Sequence, residues 1–134
     1  MTRKIFVNLP IKNLNRSVKF FTKLGFKFNP QFTHKNATCM IVGNDIFVML
    51  LVEPFFKSFT KKELCDTTKN AEAIVALSAE SRKEVDETVN KALAAGAKPS
   101  NKPIDQSFMY GWGFQDLDGH LWEIFYMELD KKNR

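Results

Sequence analysis

The hydrophobic pattern divides the chain into two runs of elements that have the same order. Four apolar segments of the first half predict strands: residues 4–9, 26–32, 38–42 and 46–52. The three-residue spacing of Val18, Phe21 and Leu24 predicts a helix over residues 15–24, between the first two strands. Gly25 follows at the position where a helix commonly ends. The first half is therefore predicted to be βαβββ.

The second half repeats this order. Strands are predicted at residues 73–78, 108–115 and 121–127, with a shorter extended segment near 98–104. Ser81 and Glu84 have the spacing of a capping box at the start of a helix. Apolar residues at positions 85, 89, 92 and 93 then lie on one helical face, and Gly96 ends the helix. The second half is thus also βαβββ.

Two such modules predict an α+β fold in a single domain of 134 residues. The first module spans residues 1–53, a linker spans 54–70, and the second module spans 71–130. A connection of this length is longer than usual, so it is expected to hold a helical turn or a lid. Phe55, Phe56 and Phe59 have helix-like spacing in this linker. They are expected to pack in the core or at a dimer interface, or else to cover a cavity.

Composition and charge narrow the class of protein. The net charge of +5 comes from charges scattered mostly as single residues, which does not favour a nucleic-acid surface. No apolar run approaches the roughly 20 residues of a membrane span, and a signal-peptide pattern is absent. Cys39 and Cys65 match no metal-binding or redox spacing, so reduced thiols in a cytoplasm are expected. Disorder is expected only in the tail at residues 131–134.

The most informative stretch lies around a predicted Asp118-Gly119 turn. Asp-Gly favours a tight hairpin turn, here between the strands at 108–115 and 121–127. Glu123 is the only charged residue in the second of these strands. A buried carboxylate is costly unless it is paired, hydrogen-bonded or bound to a metal. Glu123 is therefore either a hydrogen-bonded structural residue or a group that transfers protons.

Aromatic residues alternate along the strand before this turn. Four of them share one face of the strand: Phe108, Tyr110, Trp112 and Phe114. Gly111 and Gly113 lie on the other face, where a backbone or a ligand could approach closely. The aromatic face fits a packed core and the wall of a small-molecule pocket equally well.

Several motifs together carry a resemblance to a known superfamily. In the first half they are Leu9-x-Ile11-x-Asn13-Leu14-x-x-Ser17 and Phe20-Phe21-x-x-Leu24-Gly25-Phe26. In the second half they are Ala94-Ala95-Gly96-Ala97 and Phe114-x-Asp116-x-Asp118-Gly119-x-x-x-Glu123. With these motifs the chain resembles the vicinal oxygen chelate superfamily, which includes glyoxalase I, extradiol dioxygenases, and bleomycin- and fosfomycin-resistance proteins. The resemblance implies a cupped mixed sheet built from both modules, and a homodimer.

The resemblance also implies four metal-ligand positions, on the first and last strands of each module. They correspond to Phe6, Met49, Ile74 and Glu123. One donor among four does not make a zinc or ferrous site. His34 and His120 are expected at a hairpin tip and at a turn, so neither completes the set. No cofactor is therefore predicted, and a divalent metal is the less favoured alternative.

The resemblance, together with the loss of three of the four metal-ligand positions, leaves three possible functions. The favoured one is a glyoxalase- or bleomycin-resistance-like protein that binds a neutral or anionic small molecule without metal. The predicted ligand pocket, beside Glu123, consists of Phe6, Met49, Ile74, Tyr110, Trp112 and Phe125. The second is a lyase or isomerase of the glyoxalase type with Glu123 as the general base; a dioxygenase is not expected. The third is a dimeric assembly module without a ligand. No nucleic-acid or membrane partner is predicted.

Overall fold

The computed structural model describes residues 3–128 and has the α+β architecture that the sequence predicts. The chain forms two compact units, Met1–Cys65 and Asp66–Arg134. The division lies within the predicted linker, and the predicted disordered tail at 131–134 lies outside the described residues. Among those residues, no helix is long and apolar enough to cross a membrane.

The first unit is a four-stranded mixed sheet with two helices. Its elements are β1 (Ile5–Ile11), α1 (Leu14–Lys23), β2 (Lys27–His34), β3 (Ala37–Gly43), β4 (Ile46–Val52) and α2 (Glu53–Lys57). The strand order is β1-β4-β3-β2, with β1 parallel to β4 and the other pairs antiparallel. The helical turn expected in the linker is α2, which Pro54 helps to start. Val48 and Leu50 of β4 and Phe20 and Phe21 of α1 are buried in the core.

The second unit repeats this arrangement. Its elements are β5 (Ile74–Ser78), α3 (Arg82–Ala94), β6 (Lys98–Pro99), β7 (Ile104–Gln106), β8 (Met109–Gln115) and β9 (Leu121–Met127). The order is β5-β9-β8-β6, with β7 also pairing with β8, and β5 runs parallel to β9. The segment predicted near 98–104 is therefore two short strands rather than one. The N-cap of α3 forms as expected, because the Ser81 hydroxyl accepts the Glu84 N–H at 3.1 Å.

The connection between β8 and β9 differs from the predicted tight hairpin. It has five residues, 116–120, and the N–H of Asp116 donates to the carbonyl of His120 at 2.9 Å. Gly119 has φ of 81°, which glycine adopts without strain. The Thr67 hydroxyl donates to the Asp118 carbonyl at 2.6 Å and leaves no room for a Cβ at Gly119. Asp-Gly is thus part of the turn, within a wider loop.

Asp116 organises this loop from inside the second unit. Only 5% of its surface is exposed. One carboxylate oxygen accepts the N–H groups of Asp118 and His120 at 2.9 and 3.0 Å. The other accepts Nε1 of the buried Trp122 at 2.8 Å. Burial raises the pKa of the Asp116 carboxyl, while His120 and these donors oppose the rise. The motif residue Asp116 therefore has a structural role.

Candidate functional site

The two units place the metal-ligand positions that the resemblance implies in equivalent registers. Phe6 pairs with Phe47, two residues before Met49 on β4. Ile74 likewise pairs with Leu121, two residues before Glu123 on β9. Because residues two apart on a strand share a face, Phe6 lies on the face of Met49, and Ile74 on the face of Glu123.

Glu123 stands at the centre of one face of the second sheet. Its partners across the sheet are Gly113 on β8, which has no side chain, and Ala76 on β5, which has only a methyl group. A Cβ at Gly113 would lie 2.6 Å from Oε2 of Glu123 and 2.4 Å from the backbone oxygen of Trp122. The Glu123 carboxylate therefore lies directly over Gly113, in space that only a glycine leaves free.

The carboxylate of Glu123 is half-buried. Within the described part of the second unit, no side chain forms a hydrogen bond or an ion pair with it. Desolvation by burial raises the pKa of Glu123 above its ordinary value. A carboxyl with a raised pKa can donate a hydrogen bond when protonated or exchange a proton with a ligand.

The remaining residues on this face are mostly apolar. Phe125 is half-buried beside Gly111, and Ile74, at 60% exposure, lies beside Leu121. A Cβ at Gly111 would meet only Phe125 and the Ile124 oxygen, at 3.7 and 3.8 Å. The predicted residues Ile74, Glu123 and Phe125 are thus brought together on one face, which we call the Glu123 face.

The structure does not bring Tyr110 and Trp112 to the Glu123 face. They pair with Tyr126 and Ile124, so they point to the opposite side of the sheet. There the Tyr110 hydroxyl donates to Asp86 of α3 at 2.5 Å, and this bond, with burial, raises the pKa of Tyr110 to about 12. Trp112 donates through Nε1 to the carbonyl of Asn101 at 3.1 Å.

The other predicted pocket residues, Phe6 and Met49, belong to the first unit. Phe6 is 45% exposed and stacks on Phe47 with ring centroids 4.8 Å apart. Met49 is half-buried, with the buried Cys39 as its partner on β3. This face of the first sheet presents apolar side chains at both ligand positions.

Arg82 is a polar residue that the sequence analysis did not single out. It binds Asp105 of β7 at 2.5 Å and the carbonyl of Gln106 at 2.9 Å, and it lies over the Tyr110 ring. These contacts tie the edge strand β7 to the start of α3. No motif marks this cluster, because its members are brought together only by the pairing of β7 with β8.

The model of one protein family matches residues 5–124 of the chain. This family is the Glyoxalase/Bleomycin resistance protein/Dioxygenase superfamily. The chain belongs to this superfamily. The match covers both βαβββ modules, as the sequence motifs predicted. No curated protein matches the chain.

Solved structures of other proteins have the same fold. Hypothetical protein SA1046 from S. aureus is 30% identical, with a TM-score of 0.79 over 94% of this chain and 95% of its own. A glyoxalase/bleomycin resistance protein/dioxygenase family enzyme from Burkholderia phytofirmans is 14% identical, with a TM-score of 0.77 over 94% and 99%. The fosfomycin resistance protein FosX from Listeria monocytogenes is 18% identical, with a TM-score of 0.67 over 100% and 99%. The last two comparisons concern the fold.

The residues of this superfamily member do not fit the metal site that the resemblance implies. Three of the four ligand positions carry Phe6, Met49 and Ile74, whose side chains offer no oxygen, nitrogen or thiolate donor. Among residues 3–128, no group of three or more His, Cys, Asp or Glu side chains could hold a metal ion. His34 instead packs edge-on against Phe55, with ring centroids 5.3 Å apart. His120 lies in the β8–β9 loop.

The raised pKa of Glu123 makes a prediction for the pH dependence of stability. Below the unfolded-state pKa the carboxyl is protonated in both states. Ionisation then favours the unfolded chain until the folded pKa is passed. We therefore expect wild type to lose stability relative to Glu123→Gln as the pH rises above the ordinary glutamate pKa of about 4, and to lose no more once the raised folded-state pKa is passed. Urea unfolding, followed by tryptophan fluorescence at several pH values, measures this difference.

Glu72→Gln is the matched control, because Glu72 is exposed in the same unit. Its difference from wild type should stay nearly constant over the same pH range. A gain of wild-type stability relative to Glu123→Gln with rising pH would contradict the assignment, because it would mean that the folded state favours the ionised carboxylate.

Proposed function

We propose that this superfamily member binds a small molecule on the Glu123 face and does so without a metal ion. One observation carries the proposal. A half-buried carboxylate without a polar partner among the described residues of its unit lies over bare glycine backbone on a mostly apolar sheet face. A structural carboxylate in such a place would be hydrogen-bonded, as Asp116 is. This difference supports a role for Glu123 in binding a ligand.

The chemistry of the face favours a neutral or anionic ligand with an apolar part. With its pKa raised, Glu123 can be protonated and can donate a hydrogen bond to a carbonyl or carboxylate oxygen. Phe125 and Ile74 supply apolar surface on either side of it along the sheet. A few polar groups among apolar walls are typical of small-molecule sites.

A second function is supported by the same carboxyl group. Glu123 could act as a general base that removes a proton next to a carbonyl group, in a lyase or isomerase of the glyoxalase type. The raised pKa supports this role, because proton transfer is most efficient when the pKa of the base is near the working pH. In this alternative Glu123→Gln abolishes turnover of a bound substrate while its affinity is largely kept.

A screen of small aromatic carboxylic acids and neutral carbonyl compounds tests the proposal. Hits are identified by the rise in melting temperature of metal-stripped protein, then titrated with wild type, Glu123→Ala and the exposed control Glu72→Ala. We expect Glu123→Ala to weaken binding about tenfold, the equivalent of one lost hydrogen bond, whereas a glutamine would keep an N–H donor at the same place. The Glu72→Ala control should bind like wild type.

Two outcomes would contradict the proposal. In one, the hits bind Glu123→Ala as tightly as wild type, so that the ligand lies elsewhere. In the other, zinc, nickel, manganese or ferrous iron raises the melting temperature of wild type but not of Glu123→Gln. Metal at about 100 times its dissociation constant would add about 2.7 kcal/mol of stability, so such binding is readily detected.

A further inference from the structure

The positive charge of this protein is concentrated in the first unit. Residues 1–65 contain eleven Lys and Arg against three Asp and Glu, and residues 66–134 contain nine against twelve. The first acidic residue in the chain is Asp45. The net charge of +5 therefore conceals a first unit at +8 and a second at −3. Charge asymmetry of this size between halves points to an anionic partner for the basic half.

The topology gathers part of this charge at one end of the first sheet. Ala37 pairs with Leu51 and with His34, so the β2–β3 turn lies beside the end of β4, where α2 begins. The chain after α2 folds back on this helix, because Nζ of Lys57 donates to the carbonyl of Lys62 at 2.6 Å. Exposed side chains collect at this end, which we call the basic end: Phe32, Lys35, Phe59, Lys61 and Lys62.

Phe59 is the most exposed large apolar side chain of the basic end, at 71%. Its ring packs edge-on against Phe55, whose ring packs against His34, with centroid distances of 5.1 and 5.3 Å. Phe59 is thus supported on one side by Phe55, while most of its surface is exposed. The acidic residue of this segment, Glu63, follows Lys62 and pairs with Lys57 at 3.3 Å. Among the described residues, Lys35, Lys61 and Lys62 form no ion pair, so these three lysines supply the positive charge of the basic end.

We propose that the basic end docks on a lipid bilayer that contains anionic lipids. Lysines near a negatively charged bilayer each strengthen attachment about fivefold, and an exposed phenylalanine can insert below the headgroups. Such peripheral attachment needs no membrane-spanning segment. The sequence-based expectation of no membrane partner considered only a span.

The basic end is less suited to two other partners, a second copy of the chain and a nucleic acid. A second copy docked through the same surface would bring the like charges of two basic ends together, which costs free energy. The second argument concerns side-chain geometry. Nucleic-acid sites favour arginine, whose planar guanidinium group binds phosphate in a bidentate manner, whereas the unpaired cations named here are all lysines.

Vesicle co-sedimentation of the full chain tests this proposal. The probes are vesicles of pure phosphatidylcholine and vesicles in which about a quarter of the lipid is phosphatidylglycerol, a fraction that gives a marked negative surface potential. We expect binding only to the anionic vesicles, with loss of binding at high salt because of screening. Phe59→Ser should weaken binding about tenfold or more. The double variant Lys61→Gln/Lys62→Gln should weaken it about 25-fold.

Lys98→Gln/Lys102→Gln is the matched control, because it removes the same charge from exposed sites in the second unit. It should change vesicle binding less than about twofold, since these lysines lie outside the basic end. Unchanged thermal unfolding of Phe59→Ser would show that the variant is folded.

Several results would overturn the proposal. One is an absence of binding to the anionic vesicles. A second is that Lys98→Gln/Lys102→Gln loses as much vesicle affinity as Lys61→Gln/Lys62→Gln. A third is displacement of the protein from vesicles by a duplex or single-stranded oligonucleotide at similar concentration. Another is a dimer in sedimentation velocity that Phe59→Ser dissociates, which would make this surface a contact between two copies.

Discussion

Replacement of Asp116 by alanine should lower the free energy of unfolding by about 3–5 kcal/mol, the largest stability effect that we expect for a single side chain. The substitution removes the acceptor of three N–H groups. One of them belongs to Trp122, which is only 1% exposed, so its N–H would have no access to water as a replacement partner. The loop between β8 and β9 would also lose the group that fixes its path.

Urea unfolding measures this loss, and tryptophan fluorescence is a suitable probe because both tryptophans, Trp112 and Trp122, lie in the second unit. Asp105→Ala is the control: it makes the same chemical change on a side chain that is 65% exposed and paired with Arg82 at the surface. Exposed ion pairs contribute little, so a loss below about 1 kcal/mol is expected there. Equal losses in the two variants would refute the structural role of Asp116.

Gly113→Ala should lower the free energy of unfolding by about 1–3 kcal/mol, and it should also displace the Glu123 carboxylate. The added Cβ would lie 2.4 Å from the backbone oxygen of Trp122 and 2.6 Å from Oε2 of Glu123. The side chain of Glu123 can rotate away, but the backbone oxygen belongs to the β8–β9 ladder and cannot move without separating the strands. Ligand affinity in the proposed site should fall together with stability.

Gly111→Ala is a close control for this substitution. Gly111 is on the same strand and the same face, two residues away, and its added Cβ would make only ordinary contacts at 3.7 and 3.8 Å. Stability should change by less than about 1 kcal/mol, and a small gain would follow from the stiffer unfolded chain. If the two alanine variants had the same stability, the close approach of Glu123 to Gly113 would be wrong.

Much of the fold could be predicted from the periodicity of the sequence. The strands predicted at 46–52 and 121–127 have the bounds observed for β4 and β9, because both are apolar runs between turn residues, interrupted only by Glu123. The extended segment near 98–104 was predicted less well. Pro99 and Pro103 have no N–H groups for a continuous ladder, and the segment is interrupted accordingly.

The composition of the Glu123 face could be predicted only in part, because it depends on the register of β8 and β9. A two-residue hairpin at Asp118-Gly119 would pair Phe114 with Glu123, and the alternating aromatic residues would then share its face. The observed five-residue loop shifts the pairing by one residue, so that Gly113 lies opposite Glu123. A shift of one residue exchanges the two faces of a strand. Tyr110 and Trp112 accordingly lie beside α3 instead of Glu123.

The parallel pairing of the first and last long strands in each unit has a consequence for folding. Ile5 pairs with Ile46, and Ile74 pairs with Leu121, so each unit must close a loop of about 40–50 residues at a cost in chain entropy on the order of 3 kcal/mol. The antiparallel neighbours β3 and β4, and likewise β8 and β9, are close in sequence and can form earlier. We expect Phe6 to reach Met49, and Ile74 to reach Glu123, only in the slower closing step. The four positions that the resemblance implies for a metal would then be among the last parts of each unit to assemble.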